Sequence, residues 1–406
     1  MELTEKVSRN NYFCFLWHAS FLALTQNFMD VDTIIPAMMI DAGGTSLHIG
    51  LLTAILVGGG KLSQLLFAPF LSNKPYKKNL LLGGINARII SLAGIGLLFV
   101  LSTAIPDALI ILSIFLLIFL FSVSGGFANI NYTDILGKSI MDTRRKRFFS
   151  IMQIVSSLGV LISAYFARRI LRTQPYPGNY TLLFFIASVL LALASLGFWR
   201  IREVFAENLK IKNFTEFVQI TRTEFKTNKR LTSYLLLINT QGIALVLMPF
   251  LILYAKQVFG ADSQNIGNYL LLKVLGGVMT GSIMFYFARI IRYQYILYST
   301  SLLALLISVF ILIFPGEILF PYIFLFGGLV YAFHRIAVSG VLLEVTTNKN
   351  RALYTGLSGA GNILPTLFPL LGGWIIKHFG FSPFFLIVVI TLLISFYYIY
   401  RLDCKK

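Results

Sequence analysis

From Ile49 to Phe70 the chain reads IGLLTAILVGGGKLSQLLFAPF. The run is long enough for an α-helix to cross about 30 Å of hydrocarbon. Yet Lys61 and Gln64 stand near its middle, directly after Gly58, Gly59 and Gly60. An ammonium group at that depth costs about 2.5–3.5 kcal/mol even on lenient insertion scales, so it demands a partner or water. The pattern returns as IGNYLLLKVLGGVMTG from Ile266, with Gly59-Gly60 aligned on Gly276-Gly277 at an offset of 217. A repeated apolar span that carries a cation implies a duplicated helical membrane protein with a polar path inside.

Composition narrows the class. The chain is 57% hydrophobic and 12% charged, with a mean hydropathy of +0.80; a soluble domain carries about 25% charge. Alternation at ten-residue spacing is missing, which argues against a β-barrel. The pattern predicts twelve spans, at 12–36, 48–70, 79–102, 105–134, 148–170, 180–200, 231–255, 265–288, 293–313, 319–344, 352–376 and 380–400. The fold class is therefore all-α and polytopic. Most of the 34 Lys and Arg then fall on the side that holds both termini. That is the positive-inside pattern, so the net charge of +18 reports topology and needs no nucleic acid. Arg168, Arg169 and Arg172 run against the pattern. The expected location is the inner membrane of the cell with cytoplasmic termini. The first apolar stretch lacks a small-residue cleavage site and reads as a retained span. Cys14 and Cys404 offer neither a disulfide framework nor metal spacing, and no cofactor is expected.

The long charged segment Ile201 to Arg230 separates two sets of six spans. The expected domains are a bundle at 1–200, a linker at 201–230 and a second bundle at 231–406. In the linker, Phe214, Phe217, Val218 and Phe225 share one helical face, as in an amphipathic helix lying on a membrane surface. The halves also match at Gly125-Gly126 with Gly327-Gly328, offset 202, and at Arg147 with Arg351, offset 204. Small residues at corresponding positions let helices approach closely.

Twelve spans in a 6+6 repeat, a long basic central segment and a short basic loop after span two resemble the major facilitator superfamily (MFS). That family's signature after span two is a Gly, an Asp four residues on, then Gly and two basic residues. Here the basic end survives as Lys77-Lys78, whereas Ala68 and Ser72 stand where the Gly and Asp would be. The proline motif of antiporters is missing from Ser156 to Phe166, and Gly361 to Pro365 with Pro369 resembles the flexible eleventh helix. The resemblance implies that spans 1, 4, 7 and 10 line a central cavity. Polar content agrees: span 1 has His18, Gln26, Asn27, Asp30 and Asp32; span 4 has Asn129, Asn131 and Asp134; span 7 has Asn239 and Gln241; span 10 has His334, Arg335 and Glu344. Buried polar groups in lipid must find partners or water.

Asp30 is the expected proton carrier, with static pairing to Lys61 as its alternative. Asp32, two residues on, cannot share its helix face and is left near the headgroups. Lys61 and Gln64 are expected to face the cavity together, and Lys273 to snorkel towards the surface. Arg335 beside His334 reads as an anchor for a substrate carboxylate or phosphate, or as a partner of Glu344 or Asp134. Gln26, Asn129, Asn239 and Gln241 complete the cavity candidates. Asp134 and Glu344, at span ends, and Arg88, whose nearest acid would be Asp134, are the gating candidates. Tyr132, Tyr331 and Phe333 are candidate contacts for an amphipathic substrate.

No Walker loop, metal-binding His pair or nucleophile elbow appears, so no enzymatic activity is expected. The expectation is a monomeric, proton-coupled secondary transporter of a small organic anion or amphipath. A receptor, a lipid scramblase or a partner-binding subunit on the same scaffold is the alternative reading.

Overall fold

The computed structural model describes residues 3–72, 74–204, 228–287, 291–313, 316–345 and 361–402, and all their regular structure is helical. The linker residues 205–227, with the expected amphipathic helix, and Arg351 lie outside the described residues. The helices are α1 (Glu5–Gln26), α2 (Ile34–Asp41), α3 (Ser46–Ser72), α4 (Lys78–Val100), α5 (Asp107–Ser139), α6 (Asp142–Thr173) and α7 (Gly178–Trp199). They continue with α8 (Lys229–Gln241), α9 (Leu247–Phe259), α10 (Ser263–Phe287), α11 (Tyr293–Ile313), α12 (Phe320–Val345), α13 (Leu364–Phe379) and α14 (Phe381–Leu402). Among the described residues, ten continuous helical stretches are long and apolar enough to cross a membrane. Two expected spans are not among them, and part of the eleventh, residues 352–360, lies outside the described residues. Span 1 is broken between α1 and α2, and α13 has 16 residues.

The chain divides into two units that do not follow the midpoint of the sequence. The first is Met1–Asp30, Asp41–Gly43 and Gly58–Glu216. The second is Val31–Ile40, Gly44–Val57 and Phe217–Lys406. The second unit therefore contains most of α2 and the first part of α3.

Within each unit the helices pair in the same way. In the first, α4 packs on α5 and α7, and α1 packs on α7; in the second, α11 packs on α12 and α14, and α8 packs on α14. The glycine repeat explains a further shared crossing. A Cβ on Gly126 of α5 would meet the carbonyl oxygen of Gly60 on α3. A Cβ on Gly328 of α12 would meet that of Lys273 on α10. Backbones this close need glycine, because no rotamer can move a Cβ away.

The repeat extends to a shared break. Span 1 passes from α1 into a 3-10 turn at Asn27–Met29, and span 7 from α8 into a 3-10 turn at Gly242–Val246. At the first break the Asn27 side-chain amide finds its partners on α6. Asn27 Nδ2 donates to the Val160 carbonyl at 2.7 Å and to Ser163 Oγ at 3.0 Å on α6. Unsatisfied amides at membrane depth would cost several kcal/mol each.

Candidate functional site

The repeat also places two polar stripes on accessible faces. On α12, Tyr331, Arg335 and Ser339 are exposed at i, i+4 and i+8; on α5, Asn129, Thr133 and Gly137 are exposed at positions 202 residues earlier. Tyr322 and Phe326 of α12 are exposed too, beside Leu303, Leu306 and Phe310 of α11. They precede Tyr331 and Arg335 by nine residues each, which is half a turn at 100° per residue, so the two exposed faces of α12 are opposite. The apolar face suits lipid, and the face with Arg335 suits water.

Beside Tyr331, at the start of that stripe, stands an ion pair. Lys273 Nζ lies 2.5 Å from Asp32 Oδ2, with each side chain 12% exposed, and 6.0 Å from the centre of the Tyr331 ring. Asp32 and Lys273 both belong to the second unit. The expectation that Asp32 lies among headgroups and that Lys273 snorkels is therefore corrected: each neutralises the other. The turn after Asn27–Met29 is what swings Asp32 inward, because a continuous helix would place it elsewhere. Close packing accompanies the pair. A Cβ on Gly50 of α3 would meet the Pro369 carbonyl of α13, and a Cβ on Gly373 would meet that of Ser46. At the other end of α2, Tyr180 donates to Asp41 Oδ2 at 2.6 Å within the first unit.

A second charged cluster holds the base of the first unit. Asp134 receives Lys77 at 3.0 Å and Lys138 at 2.6 Å. The Glu203 carboxylate accepts from the backbone N–H groups of Lys77 (2.5 Å) and Lys78 (2.9 Å), at the start of α4. An anion at a helix N-terminus satisfies donors that have no intrahelical partner and meets the positive end of the dipole. Lys78 Nζ donates to the Trp199 and Ile201 carbonyls. The basic end of the loop after span two is thus anchored by Asp134 and Glu203. The side chains of Ala68 and Ser72 lie outside the described residues. Replacing Glu203 by Ala is expected to cost about 1–3 kcal/mol, since two donors lose a charged acceptor. A fall of several degrees in the thermal unfolding midpoint would record this, with Glu203→Gln in between.

Several cavity candidates lie instead in packed interiors. His334 Nδ1 is 2.9 Å from Gln241 Oε1, and Gln241 Nε2 donates to the Leu297 carbonyl and to Ser301 Oγ, both at 2.8 Å. Ser301 Oγ is 2.7 Å from Ser395 Oγ. This buried chain ties α8, α11, α12 and α14 together. Asn239 donates to the Gly361 carbonyl and accepts from the Leu364 N–H, capping α13. Residues two apart on a helix point about 200° apart, so Asn239 and Gln241 leave α8 towards different helices. His18 Nδ1 is 3.2 Å from the Ala194 carbonyl, and its ring centre is 4.2 Å from that of Phe198. Tyr132 joins the same aromatic cluster, 5.4 Å from Phe15. Phe333 packs beside the core of the second unit, which leaves Tyr331 as the aromatic candidate on an accessible face.

The other candidates fall at distinct places. Lys61 and Gln64 are half-buried one turn apart on α3, just after it enters the first unit at Gly58. Gln26 is exposed, and Asp30 follows the 3-10 turn as its C-terminal cap. Glu344 lies on the last turn of α12, with its side chain outside the described residues. Arg88 does not join Asp134, which Lys77 and Lys138 occupy. Its guanidinium lies over the Phe121 ring, 4.3 Å from the centre.

Matched glycine crossings, matched breaks and matched polar stripes in the two halves define a duplicated multi-pass helical membrane protein. The Major Facilitator Superfamily model matches residues 16–356, and the chain belongs to that family. No curated protein matches the sequence. Solved structures share the fold at low identity. The D-xylose-proton symporter superposes with a TM-score of 0.72 at 13% identity, covering 96% of this chain and 97% of that one. The nucleoside transporter NupG, in a mutant form, gives 0.69 at 14%, covering 97% and 100%. A bacterial homologue of the human lysosomal transporter Spinster, inward-facing and unoccupied, gives 0.68 at 10%, covering 98% and 97%.

Proposed function

We propose that this chain is a secondary transporter that moves a small organic anion or amphipath by alternating access, coupled to protons. The Asp32–Lys273 pair carries the reading. It fastens a segment from the start of the sequence to a helix 241 residues later, in one compact unit. Rocking of two repeats about a central site requires such contacts to break and re-form. Protonation of Asp32 would remove the attraction and release Lys273. Asp32, rather than Asp30, is therefore the proposed proton carrier. Arg335, permanently charged on the accessible face of α12, is the proposed anchor for an acidic group, with Tyr331 one turn away. The positive-inside pattern supports cytoplasmic termini in the inner membrane.

Uptake into proteoliposomes tests this reading. A pH gradient is expected to drive saturable accumulation of an anionic solute from a metabolite panel. Flux that neither saturates nor responds to the gradient would favour a scramblase or receptor. Arg335→Gln is expected to reduce anion uptake at least about tenfold, the loss of a charged hydrogen bond. Because Arg335 is exposed, its unfolding midpoint should stay within the range of ordinary surface substitutions. Equal uptake by the variant would remove Arg335 from the site.

A further inference from the structure

Asn86 stands where a lipid-facing helix surface calls for an apolar side chain. α4 packs on α5 and α7, with Leu81, Ile85, Leu92 and Ile95 on its buried face. The opposite face carries Asn86, Ile90, Leu97 and Val100, all exposed, with Ala93 half-buried among them. These five positions follow at steps of four, three, four and three residues, the average period of 3.5 that keeps one helix seam against another. A groove of about 360 Å³ between α4 and α5, lined by Gly94, Leu97, Leu101 and Leu116 among others, runs beside the seam. Asn86 lies eight residues, about 12 Å, beyond Lys78, the first of the 23 residues of α4. A helix of that length just crosses the hydrocarbon, so Asn86 lies within it. Its side chain is too short to reach the headgroups as a lysine would. Asn131 and Asn239 donate to carbonyls four residues back, at 2.8 and 2.7 Å. Among the described residues Asn86 makes no hydrogen bond. Lipid tails offer its amide neither a donor nor an acceptor.

We propose that this face of α4 docks a second copy of the chain, with Asn86 hydrogen-bonded to Asn86 of the partner subunit. Both copies insert with the same topology, so the two α4 helices run parallel. A two-fold axis along the membrane normal then brings equal depths together. Each carboxamide supplies the donor and the acceptor that the other needs. A different protein would have to carry such a group at the same depth, whereas a second copy always does. A single polar residue in an apolar seam fixes the register of the pair, and interhelical amide bonds hold helices together in lipid.

Full-length protein, labelled in separate batches with donor and acceptor dyes, is reconstituted into phosphatidylcholine vesicles at a series of protein-to-lipid ratios. Energy transfer is expected to rise saturably with the ratio. Asn86→Leu should weaken association about tenfold, whereas Asn86→Gln, which keeps donor and acceptor, should retain most of it. Ile90→Trp, on the seam, should abolish association, and Leu306→Trp, 52% exposed on α11, should leave it intact. All four variants change exposed side chains, so their unfolding midpoints in detergent should match those of ordinary surface substitutions. Oxidative cross-linking of Ile90→Cys in membranes reads the same contact with Asn86 untouched, since a disulfide needs Cα atoms within about 7 Å. Leu306→Cys is its control. Monomers at every ratio overturn the proposal and leave the face to lipid. So does undiminished association in Asn86→Leu, or an Ile90→Cys that cross-links no better than the control. Neither gradient nor substrate enters these measurements, so their result stands apart from the transport experiment.

Discussion

Lys273→Met is expected to be among the most damaging single changes in this chain. It would leave the Asp32 carboxylate buried without its cation, and breaking a buried pair by removing one partner costs about 3–5 kcal/mol. The unfolding midpoint should fall by several degrees and proton-driven uptake should disappear. Asp32→Asn should lose less stability, because a neutral amide remains beside the ammonium. The double variant Asp32→Asn/Lys273→Met tests the role of the pair. Replacing both charges is often nearly neutral for stability, so its midpoint should return close to that of the parent protein. Uptake should nonetheless stay uncoupled from the pH gradient, because the proposed proton carrier is gone. Recovery of gradient-driven uptake in the double variant would make the pair purely structural.

The second large effect concerns the repeated glycine crossings. Gly126→Ala and Gly328→Ala each direct a methyl group at a backbone carbonyl of the facing helix. A side chain could swing aside, but a backbone carbonyl held in its own helix cannot. Overpacking of this kind costs about 1–3 kcal/mol. Gly83→Ala and Gly277→Ala are the controls, since a Cβ at either position meets nothing within 4 Å. Those two should be neutral or gain up to about 1 kcal/mol from helix propensity. Thermal unfolding of the four variants in one detergent separates the classes. Equal midpoints would show that the crossings tolerate separation. Gly277 also refines the repeat, for only Gly276 of that pair is needed for contact.

Much of this architecture was legible in the amino-acid order. Apolar run length set the spans, and the offsets of 217 and 202 matched the halves before any packing was known. The same offset of 202 relates the exposed stripes on α5 and α12, but their exposure is a result of the tertiary structure. The signature departures at Ala68 and Ser72 were legible too, but their replacement was not. Glu203 reaches Lys77 and Lys78 from more than 120 residues away, and nothing local marks it as a helix cap.

Hydropathy and periodicity record which residues tolerate lipid, since each span must satisfy its own backbone and present apolar side chains to hydrocarbon. They therefore determined the helical membrane class, the duplication and the spans that carry polar groups. They could not say where those groups point. Gln241 and His334 read as cavity residues, yet they satisfy one another within a packed interior. Asp32 read as peripheral, yet a 3-10 turn carries it to Lys273. Partner choice depends on helix rotation, on breaks in the helix and on contacts hundreds of residues apart. Only the tertiary structure supplies those, because the energy of a buried charge depends on what lies within a few ångströms of it.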